Sequence, residues 1–213
     1  MEDWGENTEG KAERESLLAA ILRQQERMTS LIDDLLLLAK LESAKGKSAS
    51  AERAPEDLAE LLNEAAEEFR GNPAARAVAF ETVVPGPAPV LADRPELLRA
   101  ISNIADNAAR KCGEKYGSRP GGRVRLSLAR EGAFWVVTIA DNGPGVDPEA
   151  ASRIFKSFRA SGRRGKWGSG GHGLGLSIAA RVAESHGGAV DLLPSSPLGG
   201  AAFEIRLPVK PEV

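Results

Sequence analysis

An α+β fold, a two-layer α/β sandwich preceded by one long helix, is what the sequence predicts, and three observations predict it. Residues 11–43 carry apolar side chains at alternating spacings of three and four, the period of a helix seam. From residue 55 onward, helix-period and strand-period segments interleave, as they do when helices cover a sheet. Two strand candidates, 122–129 and 134–140, are separated only by Arg130-Glu131-Gly132, a connection short enough for antiparallel neighbours.

The bulk composition narrows the function classes. A length of 213 residues allows one medium domain with an added element, or two small domains. Hydrophobic content of 42% with 27% charged residues is ordinary for a globular chain with a real core. A net charge of −2 supplies no global basic field, so neither nucleic acid nor an anionic membrane surface is expected as a partner. The single cysteine, Cys112, excludes a disulfide framework within the chain and fits a reducing cytosol. Apolar runs such as Leu35–Ala39 and Ala133–Ala140 are far too short to cross a bilayer. The expected location is cytoplasmic, either as such or as a cytoplasmic part of a larger membrane protein.

Along the chain, residues 1–10 are polar and aperiodic and predict a flexible start. Residues 11–43 follow as one amphipathic helix with Leu18, Ile21, Gln25, Met28, Ile32, Leu35 and Ala39 on its seam. Such a seam needs a partner. A helix–helix dimer element is preferred to a surface helix lying on the main domain, because residues 44–54 read as a linker. Residues 55–210 form the main domain. It begins with a helix from Pro55 or Glu56 to Phe69, with Pro55 near its first turn. Strands at Ala77–Val84 and Val90–Ala92 come next. Asp93 then stands at a helix N-cap, with Pro95 in the first turn and Glu96 three residues on, and that helix runs to about Lys111. The adjacent strands, a glycine-rich loop and a short helix follow. A long Gly/Arg loop, a helix from about Leu174 to His186, and strands near Ala189–Leu193 and Ala201–Leu207 complete the domain.

Three motifs carry chemistry. Asp141-Asn142-Gly143-Pro144-Gly145 follows an apolar strand, where a carboxylate can accept a hydrogen bond from a base amino group while glycines let the backbone fold close. Alone, it reads equally as a turn. Gly171-His172-Gly173-Leu174-Gly175-Leu176-Ser177 opens a helix, so backbone N–H groups and the helix dipole favour phosphate there. The overlapping Gly168–Gly173 match to G-x-G-x-x-G is rejected as a dinucleotide fingerprint because a basic loop, not a strand, precedes it; a P-loop is absent. On the helix after Asp93, Asn103 and Asn107 lie four apart on one face, with Arg110 three further on. Two amide oxygens there can share Mg²⁺ while a cation reaches phosphate.

In order, the chain reads N-x-x-x-N, D-x-G-x-G, Ile154-Phe155-Lys156-Ser157-Phe158 and G-x-G-L-G-L. Over about 150 residues this resembles the motif series of the ATP-binding domain of bacterial sensor histidine kinases, a Bergerat-type (GHKL) fold. The resemblance implies ATP and Mg²⁺ as cofactors. Asn107 is then the principal Mg²⁺ ligand and Asn103 a nearby metal or phosphate contact; with Arg110 they form the catalytic group. Asp141 reads the adenine amino group in a pocket shaped by Gly143 and Gly145. Gly171, His172, Gly173, Leu174 and Gly175 border the triphosphate. Phe155 and Phe158 anchor a lid, Arg159 to Gly170, whose Arg163, Arg164 and Lys166 approach phosphates; plain core packing is the alternative for the two rings. ATP-hydrolysing relatives carry a glutamate base where this chain has Asn103. An amide cannot take a proton from water, so transfer to a protein acceptor is favoured over hydrolysis.

Departures from the pattern are specific. The family usually has Lys and then Tyr or Phe after the second Asn, whereas Arg110 and Lys111 stand here, and Cys112–Pro120 is longer than the usual turn. The helix of residues 11–43 is similar to the second helix of the family's dimerisation and phosphoacceptor hairpin, but neither His172 nor His186 lies in it. His186 is expected as a charge at a helix C-terminus. The expectation is a fragment of an ordinary kinase that does not autophosphorylate alone. Its implied partners are a histidine-bearing hairpin (its own upstream region or another chain), a response-regulator receiver domain and a second copy through residues 11–43. A complete protein phosphorylating another chain, a non-catalytic nucleotide-binding or dimerisation module and a Bergerat-type serine kinase are the alternatives.

Overall fold

The computed structural model describes residues 8–43, 53–71, 77–151, 153–155 and 173–209. Five strands form one mixed sheet in the order β2-β4-β5-β7-β6: β2 Val78–Val83, β4 Gly122–Glu131, β5 Phe134–Asp141, β7 Ala202–Pro208 and β6 Ala189–Leu192. Within it, only β2 and β4 pair in parallel. Helices α2 (Leu58–Gly71), α3 (Arg94–Tyr116) and α5 (Gly175–Ser185) supply the second layer, which is the expected α+β sandwich.

Strand alternation sets what lies between the layers. Leu126, Ile139 and Phe203 are register partners, and so are Leu128, Val137, Ile205 and Val190. These rows meet Leu58, Leu61, Leu62, Leu97, Ile101, Ile104, Ile178 and Val182 in one core. Residues 135, 137 and 139 point into this core, so the period of two carries Asp141 to the same side at the end of β5.

Several boundaries differ from the sequence reading. The expected helix at Pro55 begins instead at Leu58, because Ala54–Asp57 forms a short strand, β1, antiparallel to β3 (Pro89–Ala92). Asp57 Oδ1 closes that junction by accepting from Ala59 N and Ala88 N, both at 2.9 Å. Asp93 does cap α3, accepting from Glu96 N at 3.1 Å. The helix then runs past Lys111 to Tyr116, because Gly113 packs inward instead of ending it. Turn residue Gly132 takes φ 59° between β4 and β5, leaving a two-residue hairpin at Gly132-Ala133. A short α4 (Pro148–Ala151) follows the Asp141–Gly145 turn.

The first helix, α1, spans Thr8–Ser43, so Thr8–Gly10 belong to it and not to a flexible start. Its C-terminal part lies on the domain. Leu41 is buried, Leu31, Leu37 and Leu38 pack on the core, and Arg99 of α3 reaches Asp34 Oδ1 at 2.6 Å and Ser30 Oγ at 2.7 Å. Lys40 meets Glu96 at 3.1 Å. Leu17, Leu18, Ile21, Met28, Ile32 and Leu35 remain exposed, so the seam is divided between the domain and solvent. Of the expected linker, residues 44–54, only Arg53 and Ala54 fall among the described residues, and Ala54 opens β1.

Candidate nucleotide site

Helix α3 acts as the ruler of the site. At Asn103 it meets the start of α5: a Cβ on Gly175 would stand 3.4 Å from Asn103 Cβ, Cγ and Oδ1. Two turns on, a Cβ on Gly143 would stand 3.2 Å from the Lys111 backbone carbon and Cβ. Eight residues of helix separate the two contacts by about 12 Å. The Gly143 contact, with Asp141 Oδ1 also only 2.9 Å away, favours a glycine there, whereas the Gly175 contact is ordinary van der Waals packing.

At the Lys111 end sits Asp141, only 1% exposed. Its Oδ1 accepts from Gly143 N at 2.8 Å and Ala201 N at 3.1 Å. Its Oδ2 is buried without a partner among the described residues. Burial pushes the carboxyl above its ordinary value, and the two N–H donors pull it back toward ionisation. A buried carboxylate with one satisfied and one open oxygen is built to accept a hydrogen bond from outside the protein. Gly145 takes φ 81° in the same turn, a conformation that strains any side chain.

At the other end, Leu174 precedes α5 without a side-chain cap, and Ser177 Oγ turns inward to the Leu174 carbonyl at 2.7 Å. Among the described residues the first-turn N–H groups of α5 have no side-chain cap, an arrangement that suits an anion. Gly173 has φ 71° and Leu174 is buried beside it. The Asn103 amide nitrogen is buried and unpartnered among the described residues. Between the ends, Asn107 Oδ1 accepts from Arg110 at 2.6 Å, and Arg110 also pairs with Glu114 at 2.7 Å. Asn103, Asn107, Arg110, Asp141, Gly143, Gly145, Gly173, Leu174 and Gly175 thus fall on α3 and the two segments packed against it. Arg164, Lys166, Gly171 and His172, with Phe158 and the expected lid, lie outside the described residues. Phe155 packs edge-on against Phe203 with centroids 6.2 Å apart, which is core packing.

Several contributors were not found in the sequence. Gly200 lies behind Asp141, where a Cβ would collide with Asp141 Oδ1 and with Gly143 N. The small run Gly199-Gly200-Ala201-Ala202 before a strand is the signal that marks this close approach. Asn142 binds Arg123 N at 2.7 Å through Oδ1 and donates to the Gly121 carbonyl at 2.8 Å, which fastens the turn to β4. His186 overturns its expected role as a helix-end charge. It is buried, Nδ1 donates to the Val182 carbonyl at 2.8 Å, and Nε2 accepts from Asp93 N at 3.1 Å. Burial pushes its pKa down, so the neutral ring ties the end of α5 to the start of α3.

An enclosed carboxylate with one open oxygen, paired amides and an open helix N-terminus on a two-layer sandwich define a nucleotide-binding domain. Residues 92–211 match the family model described as histidine kinase-, DNA gyrase B-, and HSP90-like ATPase, and the chain belongs to that family. It is similar to the signal transduction histidine-protein kinase BaeS of Escherichia coli, 29% identical over 91% of this chain and 39% of that protein. The solved mycobacterial sensor histidine kinase MprB is 32% identical with a TM-score of 0.61, covering 75% of this chain and all of that one. ShkA, solved full-length in complex with AMPPNP, is 30% identical with a TM-score of 0.70 over 92% of this chain and 39% of that one. The chain spans about two fifths of the length of BaeS. The domain is the GHKL ATP-binding domain of the sensor histidine kinase type.

The His186 contacts have a pH consequence. Its folded pKa is lowered, so the unfolded chain binds more protons as pH falls below the ordinary value of 6.5. The stabilisation is fully present above that value and is lost as pH falls toward the folded pKa. Urea unfolding of the parent and His186→Leu at pH 7.5, 6.5 and 5.5 is expected to show an extra loss in the parent, at most about 1.4 kcal/mol per pH unit. Equal pH slopes in the two proteins would contradict it.

Proposed function

We propose that this chain binds ATP with Mg²⁺ and transfers the γ-phosphoryl group to a histidine on a helical hairpin, for relay to a response-regulator receiver domain. The observation that carries this reading is the open, buried Oδ2 of Asp141, which suits the exocyclic amino group of adenine. About 12 Å along α3, the uncapped start of α5 suits the phosphates. The amide oxygens of Asn107 and Asn103 are hard neutral donors suited to Mg²⁺, which when bound neutralises charge on the β- and γ-phosphates. Arg110, now held by Asn107 and Glu114, is close enough to Asn107 to exchange these partners for phosphate. Gly171, His172, Arg164 and Lys166 complete the phosphate side in this reading.

In the transfer, an imidazole nitrogen of the acceptor forms a bond to the γ-phosphorus as the bond to the bridging oxygen breaks. ADP leaves, and the ring proton passes to solvent. Asn103 holds the place where a glutamate base would activate water, and an amide cannot do so. The exposed residues Leu17, Leu18, Ile21, Met28, Ile32 and Leu35 suit a partner helix, which supports dimerisation through residues 11–43. Among the described residues no helix is long and apolar enough to cross a membrane. A supply of ATP favours the cytoplasm, with or without attachment to a membrane receptor. The relatives' identities favour the histidine kinase over the serine-kinase and non-catalytic alternatives.

Isothermal titration with AMPPNP and Mg²⁺ is expected to show one site per chain, weakened roughly 10- to 100-fold by Asp141→Ala, the worth of one hydrogen bond to a charged group. No heat from the parent at high micromolar protein would remove the reading. With labelled ATP, the chain alone is expected to stay unlabelled, while an added histidine-bearing hairpin acquires acid-labile label. Label on this chain would contradict the assignment of the acceptor to the hairpin.

A further inference from the structure

The end of α3 holds Asn142 through three residues, two at its backbone carbonyl and one at its side chain. Lys115 Nζ donates to the Asn142 carbonyl at 2.7 Å and to the Gly143 carbonyl at 3.1 Å. The Tyr116 hydroxyl stands 3.4 Å from the same Asn142 oxygen, and Cys112 Sγ lies 3.3 Å from Asn142 Oδ1. The Asn142 carbonyl that Lys115 holds belongs to the same peptide unit as the Gly143 N–H that binds Asp141 Oδ1. One peptide therefore separates the ammonium group from the carboxylate. We propose that Lys115 is a positioning residue for the adenine site, clamping the turn that carries Asp141 onto α3 and setting a positive charge behind its carboxylate. This rests on the reading of Asp141 as the adenine-binding group.

The charge matters because the site needs an acceptor. Protonated Asp141 would present a hydroxyl where adenine brings its own N–H. Burial drives the carboxyl toward that form; the Ala201 and Gly143 N–H groups oppose it, and then Lys115 and Lys111. The groups around Asp141 leave few substitutes. On α3, Cys112 is a buried thiol and Lys111 is paired with Glu114 at 2.8 Å. The loop before β7 contributes neutral groups, the Ala201 N–H to the carboxylate and the Ser196 hydroxyl to the Asp141 carbonyl at 3.0 Å. Lys115 has no ion pair among the described residues and bonds only to carbonyls of the turn, so its charge is not neutralised by a carboxylate.

The test is AMPPNP affinity with Mg²⁺ between pH 5.5 and 8.5, taken as the ratio of variant to parent so that ionisation of the nucleotide cancels. Lys115→Met is expected to lose affinity at a higher pH than the parent, with the acid limb displaced by roughly half a unit to one unit for a partly screened charge. Lys115→Arg is expected to follow the parent. Lys115→Gln, which keeps a donor without the charge, is expected to show the same displacement and carries the test if the Met variant does not fold. A purely structural role would lower affinity equally at every pH, and that result would overturn the inference. Failure of the parent itself to bind would remove the adenine reading. Binding by the parent with an unmoved acid limb in the neutral variants would remove only the role of Lys115.

Discussion

Placing a carboxylate between a sheet and a helix layer costs several kcal/mol unless nearby dipoles and charges compensate. Much of the domain around Asp141 answers that cost. The parity of β5 directs the side chain inward, Gly143 and Ala201 turn their N–H groups to one oxygen, and Gly200 removes the Cβ that would block them. The second oxygen keeps the cost uncompensated in the absence of a ligand. In the proposed reading that residual penalty favours a ligand group that donates at that point.

Helix α3 connects this carboxylate to everything else. Its first turn is fixed by the Asp93 cap and by the neutral ring of His186, its second by Arg99 to α1, and its last by Lys115 and Tyr116 to the Asp141–Gly145 turn. Asn103 and Asn107 lie between these anchors. A change in how α1 sits on the domain therefore acts on the same helix that carries the paired amides. The contact through Asp34 and Ser30 is polar and partly exposed, unlike the apolar core between α3 and the sheet. Beside it, Leu41 is buried and Leu31, Leu37 and Leu38 pack on the core, so α1 is held by apolar as well as polar contacts.

Much of this was legible in the sequence, for reasons that are local. The alternation of Phe134–Ala140, the Asp93 cap with Pro95 and Glu96, and the ordered motifs at Asn103, Asp141 and Gly173 each depend on nearby residues. What was missed depends on distant ones. Ala54–Asp57 is a strand because β3 pairs with it, and its Ala-Pro-Glu-Asp sequence carries no alternation. The helix that reads as ending near Lys111 continues, because the small size of Gly113 lets α3 run on inside the core. His186 looked like a surface charge because the Asp93 N–H that occupies Nε2 is 93 residues away. Gly200 and Lys115 meet the Asp141–Gly143 turn from distant parts of the sequence for the same reason.

The central claim is that Asp141 reads an amino group through its open oxygen. Inosine triphosphate tests it most directly, since it carries a carbonyl where adenine carries the amino group. Competition against AMPPNP should show ATP preferred at least about tenfold over inosine triphosphate in the parent. That preference should collapse in Asp141→Asn, whose amide can donate to the carbonyl. Equal affinity of the parent for the two nucleotides would contradict the account.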